Sequence, residues 1–291
     1  KIDTIILGAD VTHTQKDSKV GVKSLAAVVG SVDENFGLFG GSMRSQERDQ
    51  EIVDGMADMF RERLRAFHKK QNRVPTKILY YRDGVDNGQY YAVRKDEISK
   101  IRVGYQKFCR EIDLSEHPDP QITCVVVTKR HRTRFYPKTP PSSNPNCIQG
   151  TCVDSGVTHP NYFDFFLQSH NPGPGTTKPT YYIAIENGMG FTATELQDFT
   201  NMLCYTYVRT TSPVGYAPPA YYADRLCDRA RCYFANFLRD LDEDKSKKKS
   251  MTEAQIKEET TRLWERRFAE ENQGNTHGPW HEKLNDTMFW M

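Results

Sequence analysis

The stretch that most constrains this chain is Thr4 to His13, TIILGADVTH, where a β-favouring, apolar run passes through Gly8 and ends on an acid, Asp10. A second stretch has the same design: in KILYYRDGV, the strand-like run Lys77 to Arg82 delivers Asp83. Open α/β sheets place their chemistry at the carboxyl ends of central strands. One aspartate there decides little, because aspartate also starts turns. Two strands that each bring an acid to one edge imply a shared, carboxylate-lined site suited to metal.

The 291 residues suffice for one large domain or two small ones, and 27% charged with 37% hydrophobic residues is a globular composition. No apolar run is long enough to span a bilayer, so no membrane role is expected. With a net charge of only +2, any nucleic-acid binding must come from a local patch. Seven cysteines form no framework of close spacings and read as reduced thiols in an intracellular protein. Cys147 and Cys152 are the one tempting pair, and they lack a second pair to complete a zinc site. The chain starts on Lys1 without a Met and is expected to be the C-terminal part of something longer.

In order, a polar loop (Gln15 to Lys19) follows Asp10, and Ser24 to Val32 with Phe36 to Met43 predicts a hairpin. From Glu51, apolar residues recur at three and four (Ile52, Met56, Met59, Phe60, Leu64, Phe67), which predicts a helix. The strand Lys77 to Arg82, a helical run over Tyr90 to Glu111 and a buried strand Gln121 to Thr128 come next. That alternation predicts an α/β fold, a parallel or mixed sheet with helices on its faces. Pro137 to Cys152 reads as an exposed loop, and Tyr162 to Gln168 and Tyr181 to Ile185 as strands. Thr192 to Glu195 spells a capping box, with Leu196, Phe199, Leu203 and Tyr207 on one helical face. A further helix starts near Pro219 and carries Tyr222, Leu226, Tyr233 and Phe237. The charge run 240–250 reads as a mobile linker, ahead of a last helix over Thr252 to Asn272 and an aromatic tail, Met288 to Met291. The tail carries too much apolar surface to leave in water and is expected to tuck against the domain near Arg229.

Four segments in series, TIILGADVTH, YRDGVDNGQY, VVVTKRHRTRFY and TYVRTTSPVGYAPPAYYADR, resemble the PIWI domain of eukaryotic Argonaute proteins, and the C-terminal insert suits a fungal member. The resemblance runs from Ile5 to about Tyr233 and implies an RNase H-like fold over about 1–238, within one PIWI domain over 1–291. The linker at 240–250 and the C-terminal helix and tail over 252–291 would complete it.

The family's acidic tetrad carries over to Asp10, Glu51, Asp83 and Asp224; many animal relatives have His at the last of these. Without the resemblance, Glu51 would read as a first-turn acid favoured by the helix dipole. Asp10, Asp83 and Asp224 would hold two Mg²⁺ ions, with Mn²⁺ able to substitute, and Glu51 is the member able to stand apart until its segment swings in. Guide-strand contacts are implied at Lys129, Arg130, Arg134, His170, Lys178, Tyr207, Arg209, Tyr221 and Arg229. Gly215 stands where relatives have Ser. Read without the family, the basic run after a strand attracts phosphates or is a solvated loop, and the tyrosines could equally be core.

The implied function is metal-dependent endoribonuclease action on a target RNA paired to a small guide RNA, in cytoplasmic gene silencing. Cleavage would leave a 3′-hydroxyl and a 5′-phosphate. The MID domain, other Argonaute domains and silencing proteins are the implied partners. Two alternatives stay open: a guide- and target-binding module that does not cut, and an unguided RNase H-type nuclease. The basic and TYVR segments argue against the second.

Overall fold

In this computed structural model, residues 3–13, 21–139, 145–243, 251–272 and 274–291 are described, apart from the side chains of 236–243. The β-favouring runs form one sheet from β1 (Thr4–Thr12), β2 (Ser24–Ser31), β3 (Phe39–Gln46), β4 (Lys77–Asp83), β5 (Gln121–Thr128), β6 (Thr151–Val153), β7 (Phe163–Gln168) and β8 (Thr180–Asn187). Their order is β3-β2-β1-β4-β5-β8-β7-β6. β1, β4 and β5 are parallel neighbours, and the remaining pairs are antiparallel. This is the mixed α/β sheet that the alternation of elements implied.

Period-two alternation along the strands decides what faces what. Ile5, Leu7, Ala9 and Val11 of β1, with Ile78 and Tyr80 of β4, pack on α1 (Met56–Gln71) and on a continuous helical run. That run comprises α2 (Tyr90–Ala92), a π-turn (Val93–Glu97) and α3 (Ile98–Glu111). The intervening residues, Ile6, Leu79 and Tyr81, turn to the opposite face, against α4 (Ala193–Leu203) and the start of α5 (Pro218–Glu243). Asp10 and Asp83 share that parity, so both point to the α5 side. Gly8 lets α5 come this close: a Cβ there would lie 2.0 Å from the Pro219 carbonyl oxygen. Asp224 follows about one and a half turns further along α5.

On the same face, Val29, Phe39 and Met43 of β2 and β3 pack with Leu226, Ala230 and Phe234 of α5 and with Trp264 of α6 (Glu253–Asn272). Trp290 joins this cluster at 6% exposure, beside Leu226 and over Gly41, so the aromatic tail is tucked onto the α5 side as expected. Burying a side chain of that size is worth roughly 1.5–3 kcal/mol.

Several boundaries differ from the periodicity reading, each for a local reason. Helix α1 starts at Met56, so Glu51 and Ile52 precede it and Glu51 is not a first-turn acid. The Gln46 side chain holds this approach: it donates to the carbonyls of Gln50 and Ile52 and accepts from the Asp54 N–H. The second hairpin strand starts at Phe39 rather than Phe36, because the Asp33 carboxylate binds the N–H groups of Gly37 and Leu38 and Phe36 turns to a φ of 55°. The Thr192 capping box is present, but α4 ends at Leu203 and leaves Tyr207 beyond the helix. Cys152 lies in strand β6 rather than a loop. Residues 240–243 continue α5, while 244–250, the loop Gln15 to Lys19 and the Phe237 side chain lie outside the described residues.

Candidate acidic active site

Asp10 comes from β1, Asp83 from the end of β4 and Asp224 from α5, and all three line one open cleft of about 810 Å³. Glu51, from the loop before α1, lines it too. A Cβ at Gly84 would lie 3.0 Å from Glu51 Oε1 and 3.4 Å from Asp10 Oδ1, so these two carboxylates close over one patch of backbone. Gly84 also has φ at 87°, which disfavours any side chain there. Glu51 therefore sits inside the site rather than apart from it.

Crowding acids into a buried cleft has an electrostatic consequence. Burial, and then the charges of Asp83 and Asp224, raise Asp10 to about 7. Burial also raises Asp83, against the opposing pull of Lys129. Burial and mutual repulsion disfavour the charged carboxylates here, which a divalent cation would relieve. Carboxylate oxygens are the donors that Mg²⁺ and Mn²⁺ prefer, so the residue types fit. Among the described residues, however, no three His, Cys, Asp or Glu side chains are gathered as a closed ligand set. The acids are instead spread around an ammonium: Lys129 Nζ lies 2.6 Å from Asp83 Oδ2 and 3.8 Å from Asp224 Oδ2.

Glu51 is held from both sides. One oxygen accepts from Arg82 Nη1 at 3.0 Å, and the other meets His13 Nε2 at 2.7 Å. The Glu51 hydrogen bond raises the pKa of His13 against its burial, and His13 Nδ1 bonds Ser24 Oγ at 2.9 Å. Arg82 is fully buried, on the α1 and α3 side of β4 by alternation, and is paired at 3.2 Å with Glu97. Glu97 also accepts from Tyr80 Oη at 2.7 Å and from the Val53 N–H at 2.8 Å. It stands at the end of the π-turn, which re-aims a helical side chain at the sheet.

The implied phosphate contacts come from four segments, and several meet. His131 Nε2 bonds the Pro179 carbonyl at 2.7 Å, which ties the basic loop to the segment carrying Lys178. His170 lies under Gly215: a Cβ at Gly215 would be 3.3 Å from its Nδ1, which is buried without a partner, and burial lowers the His170 pKa. Tyr207 stacks on Tyr221, and Tyr221 on Tyr216, each at 4.6 Å between ring centroids. Tyr207 is buried in this stack and packs as part of the core. Arg134 turns back on the carbonyls of His131 and Thr133. Arg130, Lys178, Arg209 and Arg229 are exposed, and Arg130 also lines the acidic cleft.

Sequence reasoning passed over Arg82, Glu97, His13, Tyr216 and Arg231, the last of which lines the cleft and bonds Thr12 Oγ1. A charged residue inside an otherwise apolar strand, as in YYRDGV, is a signal that could have found Arg82.

Comparison with known proteins agrees with this architecture. The Piwi domain family profile matches residues 1–235. Protein argonaute 5 of Arabidopsis thaliana is 37% identical over 274 residues, covering 87% of this chain and 27% of that protein. Protein argonaute MEL1 of Oryza sativa subsp. japonica is 40% identical over 251 residues, covering 80% of this chain and 23% of that protein. The chain thus spans about a quarter of the length of these relatives. The crystal structure of the C-terminal lobe of a budding yeast Argonaute matches with a TM-score of 0.81 at 30% identity, over 99% of this chain and 54% of that one. The crystal structure of Kluyveromyces polysporus Argonaute with a guide RNA matches with a TM-score of 0.80 at 29% identity, over 99% and 32%. With its RNase H-like sheet and flanking helices, the chain belongs to the Piwi family, as the PIWI domain of a eukaryotic Argonaute.

Proposed function

We propose that this domain holds a target RNA paired to a small guide RNA and hydrolyses one target phosphodiester, leaving a 3′-hydroxyl and a 5′-phosphate. The observation that carries the reading is the convergence of Asp10, Asp83 and Asp224, from β1, β4 and α5, on one cleft that also exposes Arg130. Two Mg²⁺ ions, or Mn²⁺ in their place, would supply charge that activates a water and stabilises the leaving oxygen when bound. Asp10, Asp83 and Asp224 are the residues that would hold them. Glu51, fixed by Arg82 and His13, presents its carboxylate at the edge of the same cleft and stabilises the closed arrangement. The exposed cations Arg130, Lys178, Arg209 and Arg229 would supply charge for backbone phosphates, and His170 and Tyr221 would add polar contacts. Base pairing to the guide then selects the sequence, while the protein reads backbone and shape. The MID domain would complete the guide's 5′-phosphate pocket beside Arg229, and the domain would act in cytoplasmic silencing with further protein partners.

In guide-loaded protein supplied with Mg²⁺, Asp10→Ala should abolish cleavage of an end-labelled target and leave guide affinity within about twofold, because only the acids are touched. Cleavage persisting at a comparable rate would place the active site elsewhere. A guide- and target-binding module that does not cut is the second reading, and the ammonium lodged between Asp83 and Asp224 favours it. An intact protein that retains both RNAs but leaves the target whole in Mg²⁺ would decide for that reading.

A further inference from the structure

Lys129 follows β5, and its ammonium is engaged by Asp83, Tyr216 and, at longer range, Asp224. It donates to Asp83 Oδ2 at 2.6 Å and to Tyr216 Oη at 3.0 Å, and it lies 4.1 Å from the centroid of the Tyr216 ring. Tyr216 in turn donates its hydroxyl proton to Asp224 Oδ2 at 3.1 Å. The hydroxyl is thus a donor to the carboxylate and an acceptor from the lysine. Arg225 Nη2 reaches the same Asp224 oxygen at 3.2 Å. The Lys129 side chain is 30% exposed, on a flexible four-carbon stem, so one route out of the cleft is open.

We propose that Lys129 is an internal cation that occupies the acids, latched by Tyr216, and that it must leave before Asp83 and Asp224 can take a divalent ion. The inference rests on reading the acids as a metal site and adds a regulatory step to it. An ammonium 2.6 Å from Asp83 Oδ2 occupies the oxygen that a divalent ion would take, so the two compete for that carboxylate. Under the proposed function, a backbone phosphate brought into the cleft gives the released ammonium a new partner. Bound RNA therefore favours the open acids, and metal affinity rises with RNA occupancy. The Tyr216 hydroxyl, freed of the lysine, keeps its bond to Asp224 and holds that carboxylate in place.

The test has a readout other than turnover. Mn²⁺ binding to RNA-free protein, followed by electron paramagnetic resonance, should tighten about three- to fivefold in Lys129→Met, the scale of losing one partly exposed competing cation. Lys129→Arg, which keeps the charge, should stay close to the parent. In the unsubstituted protein, acylation by an amine-reactive ester, quantified peptide by peptide, should be slow at Lys129 without metal. Adding Mg²⁺ should speed it several-fold while exposed Lys70 and Lys107 hold their rates. Mn²⁺ binding that is equal in the parent and Lys129→Met, or a Lys129 acylation rate indifferent to Mg²⁺, would overturn the inference and leave the metal site standing. Absence of Mn²⁺ binding in both proteins would overturn the metal site and the inference together.

Discussion

Asp10 sits at 9% exposure among like charges, and its carboxyl is raised to about 7, first by burial and then by Asp83 and Asp224. The sign of the consequence follows from linkage. An acid whose folded pKa exceeds its unfolded value near 3.8 loses stability as pH rises from the unfolded value through the folded one. In metal-free protein, Asp10→Asn should therefore be the more stable form at pH 8, by up to about 4 kcal/mol. The gain should shrink by more than half at pH 5, and thermal melts of both proteins in chelator at the two pH values measure it. A gain that does not change with pH would mean that Asp10 is not the strained acid. Asp83 ends β4 as the sequence implied, whereas Asp10 lies inside β1, two residues before its end; both were legible because each follows a β-favouring run. Glu51 and Asp224 were not legible on residue grounds: one lies in a loop and the other inside a helix, and only their likeness to a family pattern singled them out.

At the scale of elements, the π-turn and β4 are locked together by Glu97, which is fully buried and receives Arg82, Tyr80 and the Val53 N–H. Removing one partner of a buried ion pair leaves an uncompensated charge, which typically costs 3–5 kcal/mol. Because Arg82 keeps Glu51 as an ionic partner, Glu97→Gln should lower stability to denaturant by less than that, about 1.5–3 kcal/mol. An effect under about 1 kcal/mol would show that the pair is dispensable. This lock was invisible in the sequence, because helical spacing says nothing of an inserted π-turn and the partners lie on different elements. The start of α1 was misread for a related reason: Ile52 fits the helical period, yet the Gln46 side chain claims the backbone groups around it. The C-terminal segment adds a pH-sensitive joint. His277 accepts from Asn285 Nδ2 at Nδ1, and burial, then the Arg63 charge, lowers its pKa to about 4. A histidine held neutral contributes stability above its unfolded pKa near 6.5, and that contribution is lost as pH falls toward 4. The ring is partly exposed, so the loss is roughly 1–2 kcal/mol after screening. Between pH 7 and pH 5 the urea midpoint of the parent should drop more than that of His277→Gln. Equal drops would clear His277 of the effect.

Over the whole molecule, the mixed sheet sorts its work by face. One face packs on α1 and α3, and the other carries α5, the tucked tail and the acids. The alternation of elements made this architecture legible, because each strand's apolar period and each helix's spacing are local properties. The gathering of side chains was not local: Lys129 read as a phosphate contact in the sequence, and folding places its ammonium between Asp83 and Asp224. The central claim is that Asp10, Asp83 and Asp224 form one site for two divalent ions, and anomalous diffraction from crystals soaked in MnCl₂ tests it most directly. The account predicts two peaks about 3.5–4 Å apart, bracketed by these three carboxylates, with Lys129 turned away from Asp83. A map with no peak among the three acids, and the ammonium still lodged between Asp83 and Asp224 at saturating Mn²⁺, would contradict it.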